Sequence, residues 1–152
     1  NYFGFLLIFN FGFWSIFYTS IDNSAYVFYG LIILNTACFD TFAYLVGSKF
    51  GKTYIAKDIS PNKTLEGFIG GLIVSVSLGC LAGYIFNMYI LIIIFVIGSI
   101  FAFIGDLLIS YFKRKSGVKD TGTILPGHGG VLDRVDSHLL ATPLLILIII
   151  ML

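Results

Sequence analysis

"MYILIIIFVIGSIFAFIGDLLI", residues 88 to 109, carries a single charged residue, Asp106, in an otherwise apolar run. A hydrocarbon core of roughly 30 Å is crossed by about 20 such residues as an α-helix, so the stretch reads as a membrane span. The whole chain agrees with it. Of its 152 residues 58% are hydrophobic and only 11% are charged, at a mean hydropathy of +0.98, whereas a soluble domain carries roughly a quarter charged residues. Working outward, polar breaks separate four further apolar stretches near residues 2–20, 25–48, 67–87 and 138–152. The expectation is an all-α, polytopic integral membrane protein of about five transmembrane helices with two charged loops.

The placement of charge orients it. All nine Lys and Arg residues fall in two loops: Lys49, Lys52, Lys57 and Lys63 between the second and third spans, and Lys113, Arg114, Lys115, Lys119 and Arg134 between the fourth and fifth. By the positive-inside rule both loops face the cytoplasm, and the amino terminus starts inside. A net charge of +1 points to no nucleic acid and no acidic partner. Cys38 and Cys80 sit in apolar runs without metal-ligand or redox spacing, and read as small core residues. The first span lacks a basic flank and a small-residue cleavage site, unlike a secretory signal, and a start at Asn1 reads as a truncated chain. In the third span, Gly67, Gly71, Gly79 and Gly83 form two small-xxx-small spacings suited to close helix packing.

Two carboxylates interrupt apolar spans. Asp40 and Asp106 lie nine and seven residues before Lys49 and Lys113, so both sit roughly 10 to 14 Å inside the cytoplasmic helix ends. A carboxylate at the membrane centre costs about 2.5 to 3.5 kcal/mol, which makes a functional role the default reading. Thr36, Asp40, Tyr44 and Gly47 form one polar or small stripe on the second span, and Asp106, Ser110 and Lys113 share a face of the fourth. Asp133 and Asp136 point the same way if "VLDRVDS" is helical, so four carboxylates could converge on one hollow. Clustered carboxylates repel unless a cation neutralises them, and oxygen ligands of this kind suit Mg²⁺.

Beside them runs "YFKRKSGVKDTGTILPGHGGVLDRVDS", residues 111 to 137. Its bases can hold phosphate oxygens, and the glycines let backbone N–H groups approach an anion. Such a site fits phosphoryl or nucleotidyl transfer, whereas a loop resting on anionic lipid would need neither the interleaved aspartates nor the glycines. His128 reads equally as a buried hydrogen-bonding residue or a phosphate contact. "GSKFGKT", residues 47 to 53, has three residues between its glycines where a P-loop has four, and it follows a membrane helix. "SPNKTLEG", residues 60 to 67, reads as a helix entrance, turned at Pro61, with Lys63 and Glu66 at the interface.

At these residues the chain resembles the phosphatidate cytidylyltransferases. The family signature is matched by Ser110, Lys113 and Arg114, Lys119 and Asp120, His128, Gly129 and Gly130, then Asp133, Arg134 and Asp136. A second patch is matched by Asp40, Ala43, Tyr44, Phe50, Gly51, Lys52, Ser60, Pro61, Lys63, Thr64, Glu66 and Gly67. Ile109 stands where family members commonly carry Glu.

The resemblance implies CTP and phosphatidate as substrates, with CDP-diacylglycerol and pyrophosphate as products. It implies Mg²⁺ as cofactor, held by Asp106, Asp133 and Asp136 with Asp40 as a helper. Lys113, Arg114, Lys119, Arg134 and Lys63 would contact phosphate. Asp120 and His128 join the catalytic set, and Ser110, Gly129 and Gly130 the substrate contacts. Family members are usually longer, so residues 1–152 look like one catalytic domain, the carboxy-terminal part of a longer protein. The expected setting is the inner cell membrane with the site facing the cytoplasm; a homodimer is compatible with it. A transporter fragment and an inactive scaffold are the rival readings. The transporter is disfavoured because every charged motif gathers at one end of the bundle rather than at the midplane.

Overall fold

Helices carry almost the whole chain because its apolar runs must satisfy every backbone N–H and C=O internally. The computed structural model describes residues 2–21, 25–118 and 132–151, with side chains from Leu6 in the first segment and from Val135 in the last. Among the described residues there are five helices and one hairpin: α1 (Tyr2–Thr19), α2 (Ala25–Phe50), β1 (Tyr54–Ala56), β2 (Ser60–Thr64), α3 (Leu65–Phe86), α4 (Ile90–Lys115) and α5 (Leu132–Met151). Helices α2, α3 and α4 are each long and apolar enough to cross a membrane, and α1 and α5 are apolar over shorter described stretches. Large side chains such as Phe9, Ile16, Ile73 and Leu81 are exposed on the outside of the bundle, where lipid rather than water is the expected solvent.

The helices pack in a chain of neighbours. α2 lies along α3, α4 packs against both α3 and α5, and α1 closes on α5. The glycine spacings in α3 are these contacts. A Cβ on Gly71 would stand 2.7 Å from the Phe39 ring of α2, and one on Gly79 would stand 2.8 Å from the Ile92 Cα of α4. Two apolar cores result, one around Ile32, Phe95, Leu145 and Ile146 and a smaller one of Phe39, Ala102 and Ala141. Between them runs a buried polar tie. Asn35 Nδ2 donates to Phe95 O at 3.0 Å and to Ser99 Oγ at 3.3 Å, and Ser99 shares a 2.6 Å hydrogen bond with Ser75. One residue each on α2, α3 and α4 is thereby joined where no water competes.

At the basic end the chain departs from the expected plain loop. After α2, strands β1 and β2 pair antiparallel with Tyr54 opposite Thr64 and Ala56 opposite Ser60. Pro61 is tolerated because a two-stranded ribbon has only edges. Thr64 ends β2 in extended geometry and caps α3, its hydroxyl accepting from Gly67 N–H at 3.2 Å. Two other expectations are corrected. α4 continues to Lys115 rather than ending near 109, and α5 begins at Leu132 rather than 138. In both cases polar turns extend a helix beyond its apolar segment, since a helix keeps its hydrogen bonds whether lipid or water surrounds it. Cys80 is exposed rather than in the core, while Cys38 is half-buried.

Candidate active site

Four elements meet at the basic end and enclose a cavity of about 490 Å³. α2 contributes Asp40, β2 contributes Lys63, α4 contributes Asp106, and α5 contributes Asp136, Ser137 and His138. Phe68 and Phe103 form apolar wall. Asp40 and Asp106, expected at similar depth, line this one space. The helical reading of "VLDRVDS" holds as well, with α5 starting at Leu132 and carrying Asp136 inward.

Each carboxylate has a defined neighbour. Both oxygens of Asp106 are engaged: Ser110 Oγ donates to Oδ1 at 3.3 Å, and Lys63 Nζ forms an ion pair with Oδ2. The Ser110 contact is the i, i+4 pairing expected on one helix face. Lys63 and Asp106 are largely withdrawn from solvent, at 17% and 25% side-chain exposure. The Lys63 ammonium also stands 4.7 Å from the centroid of the Phe103 ring, within the range of a cation–π attraction. The Ser137 hydroxyl hydrogen-bonds Asp40, and the Ser137 N–H donates to Asp136 Oδ1 at 2.9 Å. Electrostatically, Asp106 repels both Asp40 and Asp136, while Lys63 attracts Asp40 and Lys113 attracts Asp136.

Other expected residues stand elsewhere. Arg114 turns to the hairpin, where its Nε donates to Ile59 O at 3.2 Å. It ties β2's approach to the end of α4. Lys63 lines the cavity, and Glu66 accepts from the N–H groups of Lys52 and Thr53 at 3.1 to 3.2 Å. Of the α2 stripe, Thr36 is buried and Gly47 packs under Thr64, while Tyr44 is exposed at the cavity rim. Ile109 is buried at 3% exposure and does not line the cavity. Lys119, Asp120, His128, Gly129 and Gly130 lie outside the described residues, as do the side chains of Asp133 and Arg134.

Ser137 and His138 were not singled out by sequence reading. Ser137 had a usable signal, since it follows Asp136 on a helix aimed at Asp40. His138 had none; its Nδ1 is buried without a hydrogen-bond partner.

Among the described residues, no three His, Cys, Asp or Glu side chains are grouped so as to hold a metal by themselves. Asp106 and Asp136 nevertheless present carboxylate oxygens to the same cavity. Mg²⁺ commonly takes one or two protein carboxylates and completes its shell with waters and substrate phosphates. The donor set therefore fits a phosphate-bridged Mg²⁺, not an all-protein cage.

The chain is similar to known proteins in sequence and in fold. Phosphatidate cytidylyltransferases of Staphylococcus haemolyticus (strain JCSC1435) and Staphylococcus aureus (strain COL) are 43% and 44% identical to the chain over 143 residues, covering 91% of it and 54% of each relative. That of Staphylococcus epidermidis is 39% identical over the same span. The chain thus spans about half the length of the curated relatives it matches. Among solved structures, an intramembrane enzyme for archaeal membrane lipid biosynthesis superposes with a TM-score of 0.62 at 20% identity, over 78% of this chain and 75% of that one. That likeness is one of fold. The match to the cytidylyltransferase family runs through residues 2–152, from the first described helix to the last, and the chain belongs to that family.

Proposed function

We propose that the protein transfers the cytidylyl group of CTP to phosphatidate, giving CDP-diacylglycerol and pyrophosphate, within the inner cell membrane and with its cavity facing the cytoplasm. The observation that carries this reading is the convergence of Asp40, Lys63, Asp106 and Asp136 in one cavity at the basic end of membrane helices. A lipid phosphate and a nucleotide triphosphate meet most simply there, since the lipid is confined to the bilayer and the nucleotide to water. The names of the staphylococcal relatives support the same chemistry.

In this reaction a phosphate oxygen of phosphatidate attacks the α-phosphorus of CTP. The new P–O bond forms as the bond to the β-phosphate oxygen breaks, and pyrophosphate leaves with that electron pair. No protein nucleophile is needed; the protein positions groups and stabilises spread negative charge. Mg²⁺, when bound, would neutralise phosphate charge and orient the reacting oxygens, with Asp106 and Asp136 as its protein ligands and, as the signature implies, Asp133. Lys63 and Lys113 offer ammonium groups to phosphate from opposite elements, β2 and α4. Arg114 acts one step removed, holding the hairpin that carries Lys63.

The test is direct. Purified protein given CTP labelled at its α-phosphate, phosphatidate and Mg²⁺ should place the label in lipid, one pyrophosphate per lipid formed. Label that stays in water in every lipid and metal condition overturns the reading and favours an inactive scaffold. Solute flux through protein-containing vesicles without lipid labelling favours the transporter.

A further inference from the structure

We infer that Lys63 is a tethered cation that holds the carboxylate cavity of the substrate-free protein, and that it must exchange Asp106 for phosphate before a divalent metal can use that carboxylate. Metal and phosphate then bind as a coupled pair. The identification of the incoming anion as phosphate rests on the reading above; the competition between ammonium and metal does not.

Three observations converge on it. First, both oxygens of Asp106 are engaged, Oδ1 by Ser110 and Oδ2 by Lys63. A metal reaching Asp106 meets one of them at either oxygen. Ser110 is a neutral donor on the same helix and can rotate, whereas Lys63 is the competitor of like charge. Second, Lys63 is the one Lys or Arg among the described residues lining the cavity. It attracts Asp40, which Asp106 repels, while Lys113 acts on Asp136. Third, the ammonium is largely desolvated and lies over the Phe103 ring. Driving it off Asp106 without a new anion strands a buried charge, which is strongly unfavourable. An arriving phosphate gives it that anion.

Metal alone should therefore bind weakly, phosphate should strengthen it, and by linkage metal should strengthen phosphate equally. Such coupling commonly amounts to about 5- to 150-fold. The arrangement also keeps a divalent ion from settling in the cavity before its nucleotide.

Mn²⁺ titrations of the detergent-purified protein, read by electron paramagnetic resonance, test this without any turnover. Lys63→Met should bind Mn²⁺ alone at least about tenfold more tightly than the unaltered protein, and Lys63→Arg, which keeps the charge, should not. Pyrophosphate should tighten Mn²⁺ binding by a larger factor in the unaltered protein than in Lys63→Met. Should Lys63→Met fail to fold, Lys63→Gln repeats the measurement with the stem and polarity retained. Equal or weaker Mn²⁺ binding on loss of the charge overturns the inference, and so does an equal pyrophosphate effect in both proteins. Absence of cytidylyl transfer by the unaltered protein would instead strike the enzymatic reading, leaving these titrations to decide the exchange on their own.

Discussion

Gly67→Ala is the smallest change that should move the cavity. Gly67 is the third residue of α3, just past the Thr64 cap and four positions after Lys63. A Cβ there would stand 2.5 Å from the Ala43 carbonyl oxygen and 3.1 Å from the Gly47 Cα, both backbone atoms of α2. Ordinary contact begins near 3.4 Å, so α2 and α3 must separate by about 0.9 Å, and overpacking of this kind costs about 1 to 3 kcal/mol. Gly30→Ala on α2 is the control, because nothing lies within 4 Å of its Cβ position. Both changes gain up to about 1 kcal/mol of helix propensity, so comparing the two variants removes that gain. At about 2 to 4 °C per kcal/mol for a chain of this size, Gly67→Ala should melt roughly 2 to 12 °C below Gly30→Ala in detergent. Cytidylyl transfer should fall as well, by up to about 10²-fold, since Lys63 rides on the strand that enters α3 and misplacement of about 1 Å can cost that much. Thermal melts and initial rates for the two variants decide it. Equal melting temperatures, or a stable Gly67→Ala with unchanged rate, would refute the claim that this glycine sets the α2–α3 spacing.

Gly79→Leu should lower the melting temperature through the α3–α4 contact, since the added carbon would meet the Ile92 backbone at 2.8 Å; an unchanged melt in detergent counts against that contact. A cysteine placed at Lys57 or at Gly117, in a background with Cys38 and Cys80 replaced by serine, should react with an impermeant thiol reagent only from the cytoplasmic side, because both loops carry the bases. Labelling in intact cells would reverse the orientation. Asp133→Asn should lower kcat about 10²- to 10³-fold with partial recovery at high Mg²⁺, and near-normal turnover with unaltered Mg²⁺ dependence would remove Asp133 from the metal set.

The helices were legible because lipid permits so little else: an apolar run of about 20 residues has one low-energy conformation in a bilayer. Glycine spacing likewise announced where helices approach, and α3 uses Gly67, Gly71 and Gly79 as their positions suggest. The meeting of Asp40 with Asp106 was readable from their common distance to the basic loops. The hairpin was not, since Tyr54–Ala56 and Ser60–Thr64 are short, contain Pro61 and lack regular apolar alternation. Missing the hairpin hid how Lys63 reaches Asp106, because only the folded strand β2 carries its ammonium into the cavity. The Arg114 contact was hidden for a related reason. A base beside a signature lysine reads as a phosphate ligand, and its Nε also meets a carbonyl that only the folded hairpin presents. Pair contacts between elements far apart in sequence are the part that periodicity does not encode.

Carboxylates from α2, α4 and α5 lining one cavity make the basic end of the bundle depend on a cation. Each would cost about 2.5 to 3.5 kcal/mol at the membrane centre, and their mutual repulsion opposes the approach of three helices. Lys63 offsets this from within the protein, so the fold at that end should need no metal. Chelation therefore gives a sharp contrast. Excess EDTA should leave the melting temperature of the unaltered protein within about 2 °C, because Lys63 remains on Asp106 and a change below 1 kcal/mol corresponds to that shift. In Lys63→Met, with its ammonium gone, the carboxylates should recruit divalent metal even without substrate. Metal at 100 times its dissociation constant stabilises a fold by about 2.7 kcal/mol. Chelation should then lower the melting temperature by about 5 to 10 °C in the variant alone. Melts with and without EDTA on both proteins measure the contrast. A large EDTA effect on the unaltered protein would mean that metal, not lysine, holds the cavity at rest; no effect on Lys63→Met would mean that the carboxylates tolerate one another without either.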